Sequence, residues 1–261
     1  MSVVINTNTS ASLASYNLSS TNVNLQRSLN RLSSGSRINS SFDDAGGTAV
    51  SMKMSASIRR TEATLANVNN SVAFLQTQDG VLKNADKVLN RMSELAMLAT
   101  DVTKAPEDLD LYNTELSQLK GQLNLMLSEK FNGIELFSTG ATANGTGVAF
   151  DADSTLTVVT SHDGDQTVGI TQVDLNQVVF DITDTASASN MDITSTTGAQ
   201  DAVDYIQTAI QNLATIRANN GAEQSRLTFA ADMLSINKIN LEAANSRIVD
   251  VDVAAESSQL A

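Results

Sequence analysis

The 261-residue chain has no cysteine and no tryptophan, and it has one proline and one histidine. The absence of cysteine excludes disulfides and thiolate metal sites. The net charge of −13 argues against a nucleic-acid partner, because phosphate binding requires clustered Lys and Arg. No apolar run approaches the ~20 residues of a membrane span, so no membrane insertion is expected. The N-terminus has neither a basic region nor a long apolar core, so it shows no cleavable secretory signal.

Catalytic and metal-binding motifs are also missing. His162 lies in Ser-His-Asp-Gly-Asp and is interpreted as part of an exposed turn, without the partners of a triad or a His-based metal site. The acidic pairs Asp151-Ala-Asp153 and Asp163-Gly-Asp165 suggest either calcium ligands or solvated loops. Neither pair shows the twelve-residue calcium loop with its Gly and terminal Glu, which favours solvated loops. There is no H-E-x-x-H motif and no phosphate-binding glycine loop. We therefore predict no metal, no cofactor and no enzymatic activity.

Residues 45–100 dominate the sequence. They contain no proline, and their apolar residues recur every seven positions, which predicts a coiled-coil seam. A helix of about 55 residues would be roughly 80 Å long at 1.5 Å per residue, so we expect an elongated rod. The two rows of the seam are Val68, Leu75, Leu82, Leu89 and Ala96, and Ile58, Leu65 and Val72.

Residues 1–44 are predicted to form an amphipathic helix and a linker. The other face of this helix is mostly Ser, Asn and Thr, which are mediocre helix formers. It is therefore either an ordinary surface helix or an assembly helix that orders only against a partner. Gly35 is placed to end the helix in the left-handed conformation, and Asp43 and Asp44 are placed to cap the next one. The apolar row consists of Ala11, Leu18, Leu25 and Leu32, supported by Leu29.

Several sequence motifs, in their order along the chain, resemble those of the bacterial flagellins. They occupy residues 29–39, 43–47, 67–71, 76–80, 91–96, 131–134 and 244–250. The resemblance covers about residues 1–137 and 200–261. It implies a mainly α fold: an elongated antiparallel coiled-coil or helical-bundle rod with a small β-hairpin region at one end. Within that fold, residues 45–134 would form the long helix and a returning helix that begins at Pro106 and ends near Asn132-Gly133.

Residues 135–197 are predicted to form an acidic, β-rich segment, and this chain resembles the short flagellins that lack large outer domains. Lys and Arg are absent from residues 131–216. Alternating residues predict strands at 155–159, 167–171 and 177–182, with a turn at Asp163-Gly164.

Residues 198–248 are predicted to be the C-terminal rod helix, beginning with a capping box at Thr197. Asn220 interrupts its apolar row and is either a buried residue that fixes register or the site of a local kink. Residues 249–261 are interpreted as the start of a terminal assembly segment, because the family usually continues for another apolar helix. The row is Ile206, Leu213, Asn220, Leu227, Leu234, Leu241 and Ile248.

The resemblance implies a non-enzymatic, secreted subunit that is exported through the flagellar channel and polymerises into the extracellular filament for motility. The implied partners are other flagellin subunits, hook-associated junction and cap proteins, an export chaperone and the flagellin-sensing Toll-like receptor. Two alternatives remain open. One is a hook–filament junction protein, which shares the terminal motifs, and the other is a secreted coiled-coil adhesin.

One surface patch follows from the same resemblance. In flagellins, the positions that match Arg91, Glu94, Leu95 and Glu115 contact the receptor and the next subunit. The alternative is simple pairing along the helix surface. Taking Leu75 as a heptad d position makes Arg91 f, Glu94 b and Leu95 c, all outside the seam. We therefore expect exposed side chains, and we expect Arg91→Ala or Leu95→Ala to weaken receptor binding with little effect on stability.

Overall fold

The structure is a computed structural model that describes residues 8–137, 156–171, 173 and 191–260. Within these residues it contains five α-helices and two short antiparallel hairpins, which confirms the predicted mainly α fold with a small β-hairpin region. The helices are α1 (Thr9–Ser34), α2 (Ala45–Ala99), α3 (Pro106–Met126), α4 (Thr196–Val249) and α5 (Val253–Leu260). The strands are β1 (Lys130–Phe131), β2 (Ile134–Glu135), β3 (Leu156–Val159) and β4 (Thr167–Ile170). None of these helices is long and apolar enough to cross a membrane.

The chain divides into two compact units, residues 1–63 with 235–261, and residues 64–234. Helices α2 and α4 contain 55 and 54 residues and contribute to both units. At 1.5 Å per residue, 55 residues correspond to roughly 80 Å of helix, as the heptad spacing predicted for α2.

Several helix boundaries follow the predicted signals. Gly35 ends α1 with φ of 70°, where its amide donates to the carbonyl of Arg31 at 2.9 Å. The carboxylate of Asp44 accepts from the amide of Gly47 at 2.8 Å and caps α2. Pro106 begins α3, as expected for a residue without an amide hydrogen.

Two boundary predictions were wrong. The side chain of Ser195, and not Thr197, caps α4 by accepting from the amide of Gly198 at 3.1 Å. Helix α3 ends at Met126, before Asn132-Gly133. That dipeptide instead forms the turn between β1 and β2, with φ of 51° and 82°. Asn-Gly is the preferred sequence for a two-residue hairpin turn, so the signal was present in the sequence.

The core of the unit formed by residues 64–234 lies between α2, α3 and α4. On α2 the core comprises three adjacent heptad rows rather than the two rows of the predicted seam, because α3 and α4 both bury their apolar faces against α2. The predicted second row, at Ile58, Leu65 and Val72, is only half-buried. Fully or nearly fully buried core residues include Val68, Leu75, Leu82, Leu89, Met92, Leu116, Leu123, Ile206, Leu213, Leu227 and Leu234.

The two hairpins belong to the same unit. In the first, Phe131 pairs with Ile134, and its ring meets that of Phe74 on α2 edge to face at 5.9 Å between centroids. In the second, Leu156 pairs with Ile170, which confirms the strands predicted at 155–159 and 167–171. The strand predicted at 177–182 lies outside the described residues.

In the unit formed by residues 1–63 and 235–261, the segment that follows α1 contacts the C-terminal end of α4 and the residue that follows it. Ser36 and Asp250 form an isolated antiparallel bridge, and the guanidinium of Arg37 donates to the carbonyl of Ile248 at 2.7 Å. Helix α5 packs on the C-terminal end of α1, where Arg31 lies 3.7 Å from Glu256. Much of the apolar face of α1 remains exposed.

Candidate functional site

The predicted surface patch centres on one arginine held by two carboxylates. The Nε atom of Arg91 on α2 lies 2.8 Å from Glu115 Oε1 on α3, and its Nη1 atom lies 3.1 Å from Glu94 Oε2. These side chains are 46%, 44% and 65% exposed, respectively. The hydrogen bond that Arg91 donates to Glu115 raises the pKa of Arg91 further, followed by the one that it donates to Glu94. The guanidinium is therefore charged at any ordinary pH, and both carboxylates accept hydrogen bonds from it.

Such an arrangement contributes little to the stability of the folded chain. Exposed ion pairs in water add little to the free energy of folding, because solvent screens them. A guanidinium held in place loses less side-chain entropy when a partner binds, and arginine is enriched among interface residues that contribute most to affinity. The structure brings together three of the four predicted residues, Arg91, Glu94 and Glu115.

The fourth residue, Leu95, does not lie on this surface. Its side chain is fully buried in the core, so the expectation that it points outward was wrong. The heptad assignment considered a single partner helix for α2. The bond from Arg91 to Glu115 shows that α3 returns along α2 at this level, and Leu95 lies one turn further on. Position c therefore belongs to the third buried row, which begins at Phe74.

Exposed leucines do occur beside the patch, at positions that the sequence argument did not select. Leu98 is 44% exposed and lies one heptad after Arg91, on the same face of α2. Leu111 is 69% exposed and lies one turn before Glu115 on α3. Leu98 falls outside the heptad rows of α2. Leu111 falls outside the two apolar rows of α3, which are Leu109, Leu116 and Leu123, and Tyr112, Leu119 and Met126. In the sequence, the available signal was an apolar residue outside every core row. The two leucines place apolar surface next to the charged cluster.

The remaining candidate ligands do not form a metal site in the part of the chain that the structure describes. No group of three or more His, Cys, Asp or Glu is placed there to hold an ion. His162 Nε2 lies 3.1 Å from Asp163 Oδ2 in an exposed turn that continues through Gly164. Asp151 and Asp153 lie outside the described residues.

Two family models match the chain and together cover more than half of it. Residues 5–142 match the bacterial flagellin N-terminal helical region, and residues 203–261 match the bacterial flagellin C-terminal helical region.

Curated relatives match along almost the whole chain. It is 34% identical over 259 residues to flagellin FlaB2 of Treponema pallidum, covering 97% of this chain and 88% of that protein. It is 32% identical over 272 residues to a flagellin of Bacillus subtilis, covering 98% and 90%.

Solved structures share the fold. A Bacillus cereus flagellin crystal structure matches with a TM-score of 0.53 and 22% identity, over 64% of this chain and 88% of that one. A putative flagellar hook-associated protein from Vibrio parahaemolyticus matches with a TM-score of 0.64 and 14% identity, over 80% of this chain and 100% of that one.

Proposed function

This chain belongs to the bacterial flagellin family, a structural family of filament subunits and not of enzymes, and we propose that it polymerises with its own copies into a filament that drives swimming. The family's filament is extracellular, so the proposal includes export of the chain from the cell.

The observation that supports polymerisation is the exposed apolar face of α1. Leu18 and Leu25 are 66% and 43% exposed, and Leu29, one turn further along, is 48% exposed. They lie on one side of the helix, as residues three, four and seven apart do. An exposed row of leucines on a helix is typical of a surface that pairs with another helix. In a filament, the helices of neighbouring copies would cover it.

Charged substitutions on this face test the proposal. We expect the Leu18→Asp/Leu25→Asp variant to remain monomeric, because carboxylates would have to be desolvated to bury this face. Ser20→Asp adds charge to the opposite face of α1 and is the matched control, which should polymerise. Electron microscopy and sedimentation measure the outcome. Filaments from the double aspartate variant as long as those of the unmodified chain would contradict this role of α1.

Microscopy of the unmodified chain also separates the alternatives. Long uniform filaments formed by this one protein support the proposal. Rings or short caps would favour a hook–filament junction protein, and monomers that bind cells would favour a coiled-coil adhesin. Contacts with an export chaperone and with hook-associated junction and cap proteins are further parts of the proposal, and secretion by a flagellin-deleted strain tests the export step.

The patch of Arg91, Glu94 and Glu115 is proposed as the contact for the flagellin-sensing Toll-like receptor. Its support is the orientation of the guanidinium by two carboxylates on an exposed surface, with Leu98 and Leu111 beside it. A charged centre with adjoining apolar surface is a common composition for a protein interface. Leu95 is not part of this contact, since its side chain is buried.

Binding measurements with purified receptor ectodomain test the patch. We expect Arg91→Ala and Glu115→Ala each to weaken binding by roughly 5–30-fold, the usual effect of losing an interface anchor. Lys83→Ala, which removes one exposed positive charge two turns earlier on α2, is the control and should bind normally. Equal affinities for Arg91→Ala and Lys83→Ala would show that the receptor does not use the patch.

A further inference from the structure

A layer of amide side chains interrupts the apolar core of residues 64–234. Gln78 on α2 is 1% exposed and Asn220 on α4 is 2% exposed. On α4, the residues one and two heptads away from Asn220 are buried and apolar. Burying an amide is unfavourable unless its donors and acceptors are paired. Whether this layer destabilises the core therefore depends on the hydrogen-bond partners of the two side chains.

The two amides are bonded to each other and to the rest of the unit. Asn220 Nδ2 donates to Gln78 Oε1 at 2.7 Å, and Gln78 Nε2 donates to the carbonyl of Leu136 at 2.7 Å. Gln224, one turn after Asn220, donates to Asn220 Oδ1 and to the carbonyl of Leu75 at 3.4 Å. A continuous chain of hydrogen bonds thus runs from α4 through α2 to the residue that follows β2.

Polar contacts on either side continue the layer towards the surface. Arg217 Nε lies 3.1 Å from Asp79 Oδ1, at the next residue of α2. Glu223 on α4 is 8% exposed, and its Oε1 atom accepts from the amide of Thr171 at 2.8 Å. One hydrogen bond therefore attaches the chain to α2 at Leu136, after the first hairpin, and another attaches it to α4 at Thr171, after the second.

We propose that Gln78 and Asn220 set the register of α4 on α2 and, through the same glutamine, fix the point at which the chain after β2 attaches to the helices. The reason lies in the heptad repeat. Because the apolar rows of both helices repeat every seven residues, a slip of one heptad still places apolar residues opposite one another.

The amides distinguish the slipped registers from the native one. Where native pairing places Gln78 opposite Asn220, a slip of seven places Gln78 opposite Leu213 or Leu227. Asn220 would then face Ser71 or Ala85, and the bond to Gln78 would be lost. Both registers would keep their apolar contacts but leave buried amide groups unpaired, which is costly, so the polar layer selects the native pairing.

The absence of cysteine from the chain allows a direct test by cross-linking. The pair Asp79→Cys/Arg217→Cys reports the native register, because these residues are in contact. The pairs Asp86→Cys/Arg217→Cys and Val72→Cys/Arg217→Cys report slips of one heptad in either direction. A short bismaleimide is applied to the folded monomer, and cross-linked chains are separated by electrophoresis. This assay needs no filament, so its outcome is independent of the proposed polymerisation.

In the otherwise unmodified chain we expect only the native pair to cross-link. In the Gln78→Leu/Asn220→Leu background, the ratio of slipped to native cross-linking should rise about tenfold or more, as expected when a buried polar residue no longer selects the register. Leu227→Met, a volume-conserving change one heptad from Asn220, is the matched control and should leave the ratio unchanged. Native cross-linking alone in the double leucine background would overturn the proposal.

A second variant covers the case in which the double leucine chain loses its helical circular dichroism. Gln78→Met keeps the length of the side chain but removes both hydrogen bonds. It should raise slipped cross-linking and also speed hydrogen exchange of the Leu136 amide, which bonds to the carbonyl of Glu129 in the first hairpin. Unchanged cross-linking and unchanged exchange in Gln78→Met would refute the role of the layer.

Discussion

Leu95 provides a sharp test of the core described here, because its sequence position suggested a surface residue. Its side chain is fully buried and belongs to the same cluster as Met92, Ala96 and Leu116. Replacing it with alanine removes the buried side-chain carbons beyond Cβ and leaves a cavity that close-packed neighbours fill only in part. Leu→Ala substitutions at such sites cost about 2–5 kcal/mol.

The expected effect is a large loss of stability. For a chain of this size, each kcal/mol lowers the melting temperature by about 2–4 °C, so Leu95→Ala should melt roughly 4–20 °C lower. Urea unfolding followed by circular dichroism at 222 nm gives the free energy of unfolding, and a thermal scan gives the melting temperature.

Leu98→Ala is the matched control, three residues further along the same helix. Leu98 is 44% exposed, so its truncation should cost less than about 0.5 kcal/mol. If Leu95→Ala were as mild as Leu98→Ala, the assignment of Leu95 to the core would be refuted. A Leu95→Ala chain that remains folded at low temperature should still bind the receptor, whereas Arg91→Ala should bind more weakly at unchanged stability.

Three further substitutions test local features. Gly221→Ala should raise the melting temperature, since a Cβ there meets nothing within 4 Å and alanine favours a helix interior over glycine by about 0.5–1 kcal/mol. Gly198→Ala in the same helix should lower it, because its Cβ would lie 2.2 Å from the carbonyl of Asp192; an unchanged melting temperature would show that this contact relaxes easily. For Asp43, partial burial favours the neutral form of the carboxyl group. Hydrogen bonds from the amide and hydroxyl of Ser40 and from the amide of Asn39 outweigh this effect and hold the pKa of Asp43 below its usual value. Its carboxylate therefore adds stability above the ordinary carboxyl pKa of about 4, and that contribution is lost as pH falls through the lower folded value. The stability difference between the unmodified chain and Asp43→Asn should thus be present at pH 7 and shrink at pH 3, and melting curves of both proteins at the two pH values measure it.

Much of the fold could be predicted because the signals are local or periodic. A proline-free heptad repeat predicted α2, and φ-permissive or capping residues such as Gly35, Asp44 and Pro106 marked helix boundaries in sequence. These features depend on the backbone preferences of a few neighbouring residues, so they require no knowledge of the tertiary structure. Alternation of apolar residues likewise predicted β3 and β4.

The candidate site was predictable only in part. The resemblance to flagellins selected Arg91, Glu94 and Glu115, and heptad geometry correctly placed Arg91 and Glu94 on the outside of α2. The same geometry failed at Leu95, because a heptad defines one seam and does not reveal that a second helix covers the adjacent row. Leu98 and Leu111 were missed although both lie outside the heptad rows, because such a position does not by itself separate an exposed leucine from a buried one such as Leu95.

The sequence by itself therefore determined the four longer helices, most of their ends, the second hairpin and the family. Only the tertiary structure decided which helix faces are buried, because burial depends on how many neighbours a helix has and at which level each one lies. It also decided that the side chain of Asn220 is buried, which the sequence left open. Its partner Gln78 lies 142 residues away along the chain, and no local pattern connects two side chains that meet only after both helices have packed.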